Sequence, residues 1–146
     1  MATSMTRDDI RAFAQRFLAA WELGDPDTLA AFYAPDAAVD SPMFQRAVGR
    51  EQIEQMYSDT FRVFAGFRFT LDDIIIDTES ARAVAIVTSQ ATQIGEAFGY
   101  PGSGRQFTLK VAFVLRFDKD LLVSETRVYD FTGLLVQLGV LRAKKG

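Results

Sequence analysis

Between Asp9 and Leu23 the apolar residues Ile10, Phe13, Ala14, Phe17, Leu18 and Trp21 recur at spacings of three and four, which predicts one buried stripe on an amphipathic helix. Thr6 stands where an N-cap belongs, and Asp8 and Asp9 suit the positive end of the helix dipole. Gly24-Asp25-Pro26 ends that helix and opens a short second one carrying Leu29, Ala30, Phe32 and Tyr33. Pro35-Asp36 breaks the pair, and Ala37 to Ser41 reads as a brief strand stopped by Pro42. After Gly49 the residues Ile53, Met56, Tyr57, Thr60, Phe61 and Phe64 fall on one face of a third helix, closed by Ala65-Gly66.

From there the period changes from 3.6 to 2. Four apolar segments follow, Phe67–Ile76, Ala81–Ile94, Phe107–Phe117 and Leu121–Phe131, separated by polar or glycine-bearing turns. Helices first and hairpin-linked strands afterwards predict an α+β domain: three N-terminal helices packed on a curved, mostly antiparallel sheet. In the third strand Phe107, Leu109, Val111, Phe113, Leu115 and Phe117 share one face while Gln106, Thr108, Lys110 and Arg116 occupy much of the other, so one side is buried. Bulky aromatics on a strongly curved sheet either line a cavity or fill a solid core, and the pattern leaves both open. The candidate lining residues are Phe17, Trp21, Tyr33, Phe61, Phe64, Phe113 and Val128.

Composition narrows the chemistry. At 146 residues and 49% hydrophobic content the chain makes one domain, 1–146, with a core about 9–141. Neither a leader-like apolar run nor a membrane-length one is present, so a soluble, cytoplasmic protein with no membrane partner is expected. Sixteen basic and 19 acidic residues, scattered, give a net charge of −3 and no nucleic-acid footprint. With no cysteine and no histidine, thiolate nucleophiles, imidazole ligands and a Ser-His-Asp triad are excluded, and proton transfer falls to Asp, Glu, Tyr or Lys. No acidic loop suits Mg²⁺ or Ca²⁺, and Gly102-Ser-Gly104 lacks the partners of a nucleotide-binding loop, so neither a metal nor a cofactor is expected.

Three stretches carry a resemblance. Ala20-Trp21-Glu22-Leu23-Gly24-Asp25, Phe32 to Pro42 and Val48-Gly49-Arg50-Glu51-Gln52-Ile53 together resemble the cone-shaped α+β barrel of nuclear transport factor two, ketosteroid isomerases and SnoaL-like polyketide cyclases. Gly95 to Gly99, Ser103-Gly104-Arg105, and above all Tyr129 to Gly139 look like the SnoaL-like (ester cyclase) subgroup. The resemblance adds a short C-terminal helix and spans about residues 9 to 141.

Within it, Asp130 matches the acidic residue that SnoaL-like cyclases use as general acid and base. Strict alternation places Val128, Asp130 and Thr132 on one face and Arg127 and Tyr129 on the other, so a poorly solvated carboxylate with a raised pKa is expected at the rim of the apolar face. The same carboxylate is also placed to cap the C-terminal helix by accepting the N–H of Gly133. The ketosteroid isomerase groups are absent: Ser41 stands at the catalytic-aspartate position, Phe17 at the oxyanion tyrosine and Phe113 at the second aspartate. Gln93 replaces a histidine common in the subgroup, which leaves an amide able to orient a carbonyl but not to move a proton.

The expected function is a cofactor-independent enzyme that folds a hydrophobic, carbonyl-bearing molecule in the cone, with Asp130 driving an intramolecular aldol-type closure. Gln93, Tyr57 and Ser41 are the candidates to bind the enolate oxygen. Asp40 is either a second site carboxylate or a turn former. Two alternatives stay open, a non-catalytic hydrophobic binding module and a hydrolase or isomerase on the same fold. The mixed face of Gln106, Thr108 and Lys110, and the habit of relatives to pair sheet to sheet, lead us to expect a homodimer.

Overall fold

A computed structural model of the chain describes residues 4–44 and 46–142. Helix α1 (Arg7–Leu23) starts at Thr6, whose side chain accepts from the Asp9 N–H while the Asp9 carboxylate accepts from the Thr6 N–H, a reciprocal cap for two amides that the helix leaves unpaired. It ends at Gly24, which takes φ 71°, a left-handed turn favouring a residue without Cβ. Helix α2 (Pro26–Ala30) is one short turn capped by Asp25. The expected second helix is therefore shorter: Tyr33 opens strand β1 (Tyr33–Asp40), and Pro35-Asp36, expected to break the chain, lie within it. They are exposed at a register irregularity between Tyr33 and Ala38, where the missing proline N–H disrupts no ladder.

Strand β2 (Ala47–Val48) pairs with β1 ahead of helix α3 (Arg50–Val63). Phe64, expected on the helix, begins strand β3 (Phe64–Asp77), followed by β4 (Arg82–Gln93), β5 (Gln106–Asp118), β6 (Leu121–Tyr129) and helix α4 (Phe131–Gln137). The sheet order is β2-β1-β6-β5-β4-β3, antiparallel except for β1 beside β6. It is curved and unclosed, with the helices packed on it. Lys119 and Asp120, both at positive φ, form the tight turn between β5 and β6. The inner face carries Ala83, Ala85, Val87, Phe107, Leu109, Phe113 and Leu115, and α1 covers it with Phe13, Phe17 and Trp21.

One irregularity decides which side chains of β6 reach that interior. Phe117 pairs with Leu122 but Arg116 pairs with Ser124, so β6 holds one extra residue between them. Because side chains alternate, a single extra residue exchanges the two faces of everything after it. Leu122 points inward, and beyond the bulge the inward positions are Glu125 and Arg127, both buried, followed by half-buried Tyr129. Val128, expected to line the cavity, is 56% exposed on the outer face. The expected sharing of the inner face by Val128, Asp130 and Thr132 is thus reversed, and the reason is the bulge.

Helix α4 is fixed at both ends by side chains of the Tyr129–Gly139 stretch. Asp130 caps it, accepting the Gly133 N–H at 2.8 Å. Gln137 holds the backbone of Thr108 on β5 from both sides, accepting its N–H and donating to its carbonyl, each at 2.9 Å. A Cβ at position 133 would lie 2.3 Å from the Asp130 carboxylate, so the cap requires glycine there.

Candidate functional site

Helix α1, the concave sheet and the end of β1 enclose a cavity of about 60 Å³. Its walls are mostly aromatic and aliphatic: Trp21 from α1, Phe64, Phe67 and Phe69 from β3, Phe107, Leu109, Val111 and Phe113 from β5, and Leu134 from α4. Met43 and Phe44, half-buried in the segment after β1, complete the lining. The polar contributions are few: Ser41, Thr60, Ser89, Arg127 and Tyr129. At about 10–15 Å³ for each water-sized occupant, the enclosed part holds about four to six heavy atoms.

Arg127 dominates the polar side. It is 7% exposed, and its Nε donates to Glu125 Oε2 at 2.5 Å while Nη2 donates to the Tyr57 hydroxyl at 3.1 Å. Tyr33 donates to the other oxygen of Glu125, which leaves Tyr57 to donate to Tyr33 across 2.5 Å. The four groups form a closed ring of hydrogen bonds from β1, α3 and β6, which Arg127 joins through Nε and Nη2. Glu125 is 0% exposed. Arg50 secures the ring from outside by donating to the Tyr33 carbonyl at 2.8 Å. The guanidinium also lies over the rings of Trp21, Tyr57 and Phe113, with centroids 4.9, 5.4 and 5.9 Å away, so the aromatic faces and Glu125 hold the cation in a dry place.

Burial, then the nearby Glu125 carboxylate, push the pKa values of Tyr33 and Tyr57 well above that of an ordinary tyrosine, so both stay protonated donors. Burial disfavours the Arg127 cation, but Glu125 and the two tyrosines outweigh it and the net shift is upward. Tyr129 is raised mainly by burial, with Ser41, 3.3 Å from its hydroxyl, acting in the other direction.

One donor is left over. The indole N–H of Trp21, 4% exposed, is the one buried side-chain nitrogen or oxygen among the described residues without a hydrogen-bond partner. It lies near enough to the Tyr57 hydroxyl to favour its ionised form but outside hydrogen-bonding geometry. A buried unpaired donor costs about 1–3 kcal/mol, and the residue that carries this one lines the cavity, with the Arg127 guanidinium over its ring.

Of the residues singled out from the sequence, Trp21, Phe64, Phe113 and Ser41 line the cavity. Phe17, Tyr33 and Phe61 are a layer behind it: Phe17 packs edge-on against Phe32, Tyr33 and Phe113, Tyr33 belongs to the polar ring, and Phe61 stacks on Tyr57. Tyr57 likewise faces the ring. Gln93 is buried, but its amide ties down the following loop, donating to the carbonyls of Gly95 and Pro101 and accepting from Ser103. Asp40 lies 3.9 Å from Arg46 and away from the cavity. Asp130 is exposed rather than poorly solvated as expected, because it has left β6 to cap α4, and it does not line the cavity, although its neighbour Tyr129 does. Glu125 and Arg127 were missed because the bulge reverses their face; a charged pair two apart in an otherwise apolar strand was the signal for them. Among the described residues no three acidic side chains gather as a metal ligand set, and no helix is long and apolar enough to cross a membrane.

An open curved sheet whose helices enclose an aromatic cavity is the nuclear transport factor two-like fold. Residues 11–138 match the family model of the SnoaL-like polyketide cyclases, and the protein belongs to that family. Among solved structures, TsrD from Streptomyces laurentii is 28% identical, with a TM-score of 0.80 over 94% of this chain and 99% of that one. A candidate polyketide cyclase from Xanthomonas campestris pv. campestris is 18% identical, with a TM-score of 0.82 over 90% and 98%. A protein of ketosteroid isomerase-like fold from Catenulispora acidiphila, solved with trimethylamine, is 19% identical, with a TM-score of 0.73 over 92% and 95%. No curated protein matches the sequence.

Proposed function

We propose that the protein is a cofactor-independent acid–base enzyme that takes a hydrophobic carbonyl compound into the cavity, its oxygen directed at the Trp21 N–H and the Arg127 guanidinium. The observation that carries this reading is that Trp21, whose buried N–H has no partner, lines the cavity beside the Arg127 guanidinium. Donors held in place in a dry site stabilise negative charge as it develops on an oxygen, which is what removing a proton beside a carbonyl requires. Asp130 is the base: its Oδ1 accepts from Gly133, and its second oxygen is the one to take the proton and return it after an intramolecular aldol closure. A substrate larger than the enclosed volume extends past Met43 and Phe44.

Enolisation can be tested without knowing the natural substrate. Butan-2-one in D₂O should exchange its α-protons for deuterium faster with the protein than without it, as read by proton NMR, and Asp130→Asn should abolish the gain while the fold persists by circular dichroism. Undiminished exchange in that variant contradicts the assignment. A second reading, a binding module without chemistry, is favoured by one observation: no carboxylate lines the cavity among the described residues, and Asp130 is occupied as a cap. Ligand binding with no exchange supports it.

We also propose a homodimer paired through the outer sheet face, where Ile75, Val114 and Val128 are exposed. Across it Ile75 pairs with Val84, Val84 with Val114, and Ala112 with Val128, an apolar band between Arg116 and Lys110. A cytoplasmic location is part of the same proposal.

A further inference from the structure

The ring around Arg127 bears on which carbonyl compounds the cavity accepts, an inference that rests on the oxygen-binding role given above to Trp21 and Arg127. A guanidinium in an apolar pocket ordinarily marks a site for an anion. Here its charge is already matched. Glu125 holds Arg127 Nε at 2.5 Å, the pair is almost fully buried, and the two hydroxyls that complete the ring are neutral. The charged groups of the pocket therefore sum to zero. No acidic or basic side chain other than Arg127 and the weakly acidic Tyr129 lines the cavity. An uncharged carbonyl oxygen arriving beside Arg127 finds donors whose desolvation is already complete. A carboxylate must shed its water and then sit in a low dielectric near Glu125, with no spare positive charge to offset either cost.

We propose that Glu125 sets the charge preference of the cavity: by neutralising Arg127 it makes the site accept an uncharged ketone or ester and reject the carboxylate of the same size. Removing the Glu125 charge would free the guanidinium to bind an anion, so the preference should invert rather than weaken. Removing the Arg127 charge should turn the site towards a cation.

Butan-2-one and propionate test this, since each has five heavy atoms and matches the enclosed volume. The chain has one tryptophan, so the Trp21 indole N–H gives a single resonance in a proton–nitrogen correlation spectrum. It moves downfield when the N–H gains an acceptor. At pH 8, where propionate is ionised, butan-2-one should shift this resonance with an affinity at least about tenfold above that for propionate, because the carboxylate is placed near a like charge with no spare cation to offset it. In Glu125→Gln the order should reverse. Should that variant not fold, Arg127→Gln titrated with sec-butylammonium, also of five heavy atoms, supplies the test with the opposite sign, the cation then outranking the ketone; since an ammonium accepts no hydrogen bond from the indole, both affinities are read here from the fluorescence of the single tryptophan. Equal or tighter binding of propionate by the native protein overturns the proposal and leaves the cavity reading standing, as does an unchanged preference in Glu125→Gln. A resonance that moves with neither probe overturns both.

Discussion

Glu125 lies in β6 and Asp130, five residues on, just past its end, and their surroundings differ in every respect that matters for chemistry. Glu125 is fully buried and bonded to an arginine and a tyrosine. Asp130 is exposed, has left the ladder, and closes the first turn of α4. One carboxylate is fixed so that it holds a cation still. The other is accessible, with one oxygen on the Gly133 N–H and one free for the role proposed for it. The contrast teaches that, on one short stretch of chain, burial with a partner makes a carboxylate structural while exposure leaves the next one accessible.

The largest effect should come from breaking the interior. Glu125→Ala leaves Arg127 buried without its counter-ion and should destabilise the protein by about 3–5 kcal/mol in urea unfolding, since an unpaired buried charge is what such a change creates. Tyr33→Phe removes two bonds from the ring but no charge and should cost about 1–3 kcal/mol in the same measurement. By contrast, Asp130→Ala removes a helix cap and should cost only about 1 kcal/mol while abolishing α-proton exchange. If Asp130→Ala proved as destabilising as Glu125→Ala, the contrast between the two sites would collapse.

The interior also predicts a pH dependence. Tyr33 and Tyr57 have folded pKa values above the unfolded value of about 10, so below that pH both states hold the protons and the stabilising contribution is complete. Above it the unfolded chain loses protons that the folded one retains, and stability falls as pH rises towards the folded values. Thermal melts between pH 9 and 11 should show that decline, and Tyr33→Phe should flatten it. The smallest effect concerns the outer face: Val128→Glu should change monomer stability by no more than about 0.5 kcal/mol yet abolish the dimer in light scattering. A native protein that scatters as a monomer contradicts the pairing.

Much of the architecture could be read from the pattern of apolar residues, because periods of 3.6 and 2 reflect burial on one face and burial decides which elements form. Ile10 to Trp21 is a helix for that reason, and Phe107 to Phe117 a strand. The cavity's polar side could not be read in the same way. Alternation counts residues, and the extra residue between Leu122 and Ser124 is invisible to it, so Val128 was placed inside and Arg127 outside. Phe64 fits the helical spacing, because an apolar residue at that position suits either period, yet it begins a strand. The cap role of Asp130 was legible because Asp followed three residues later by Gly is a local signal, needing no knowledge of the sheet.

The central claim is that a carbonyl oxygen binds between Trp21 and Arg127, and a crystal structure of the protein with butan-2-one tests it most directly. The account predicts the ketone inside the cavity with its oxygen within hydrogen-bonding distance of Trp21 Nε1 and the Arg127 guanidinium. A ketone bound with its oxygen turned away from both, or bound only outside the cavity while the Trp21 N–H stays unpaired, would contradict it.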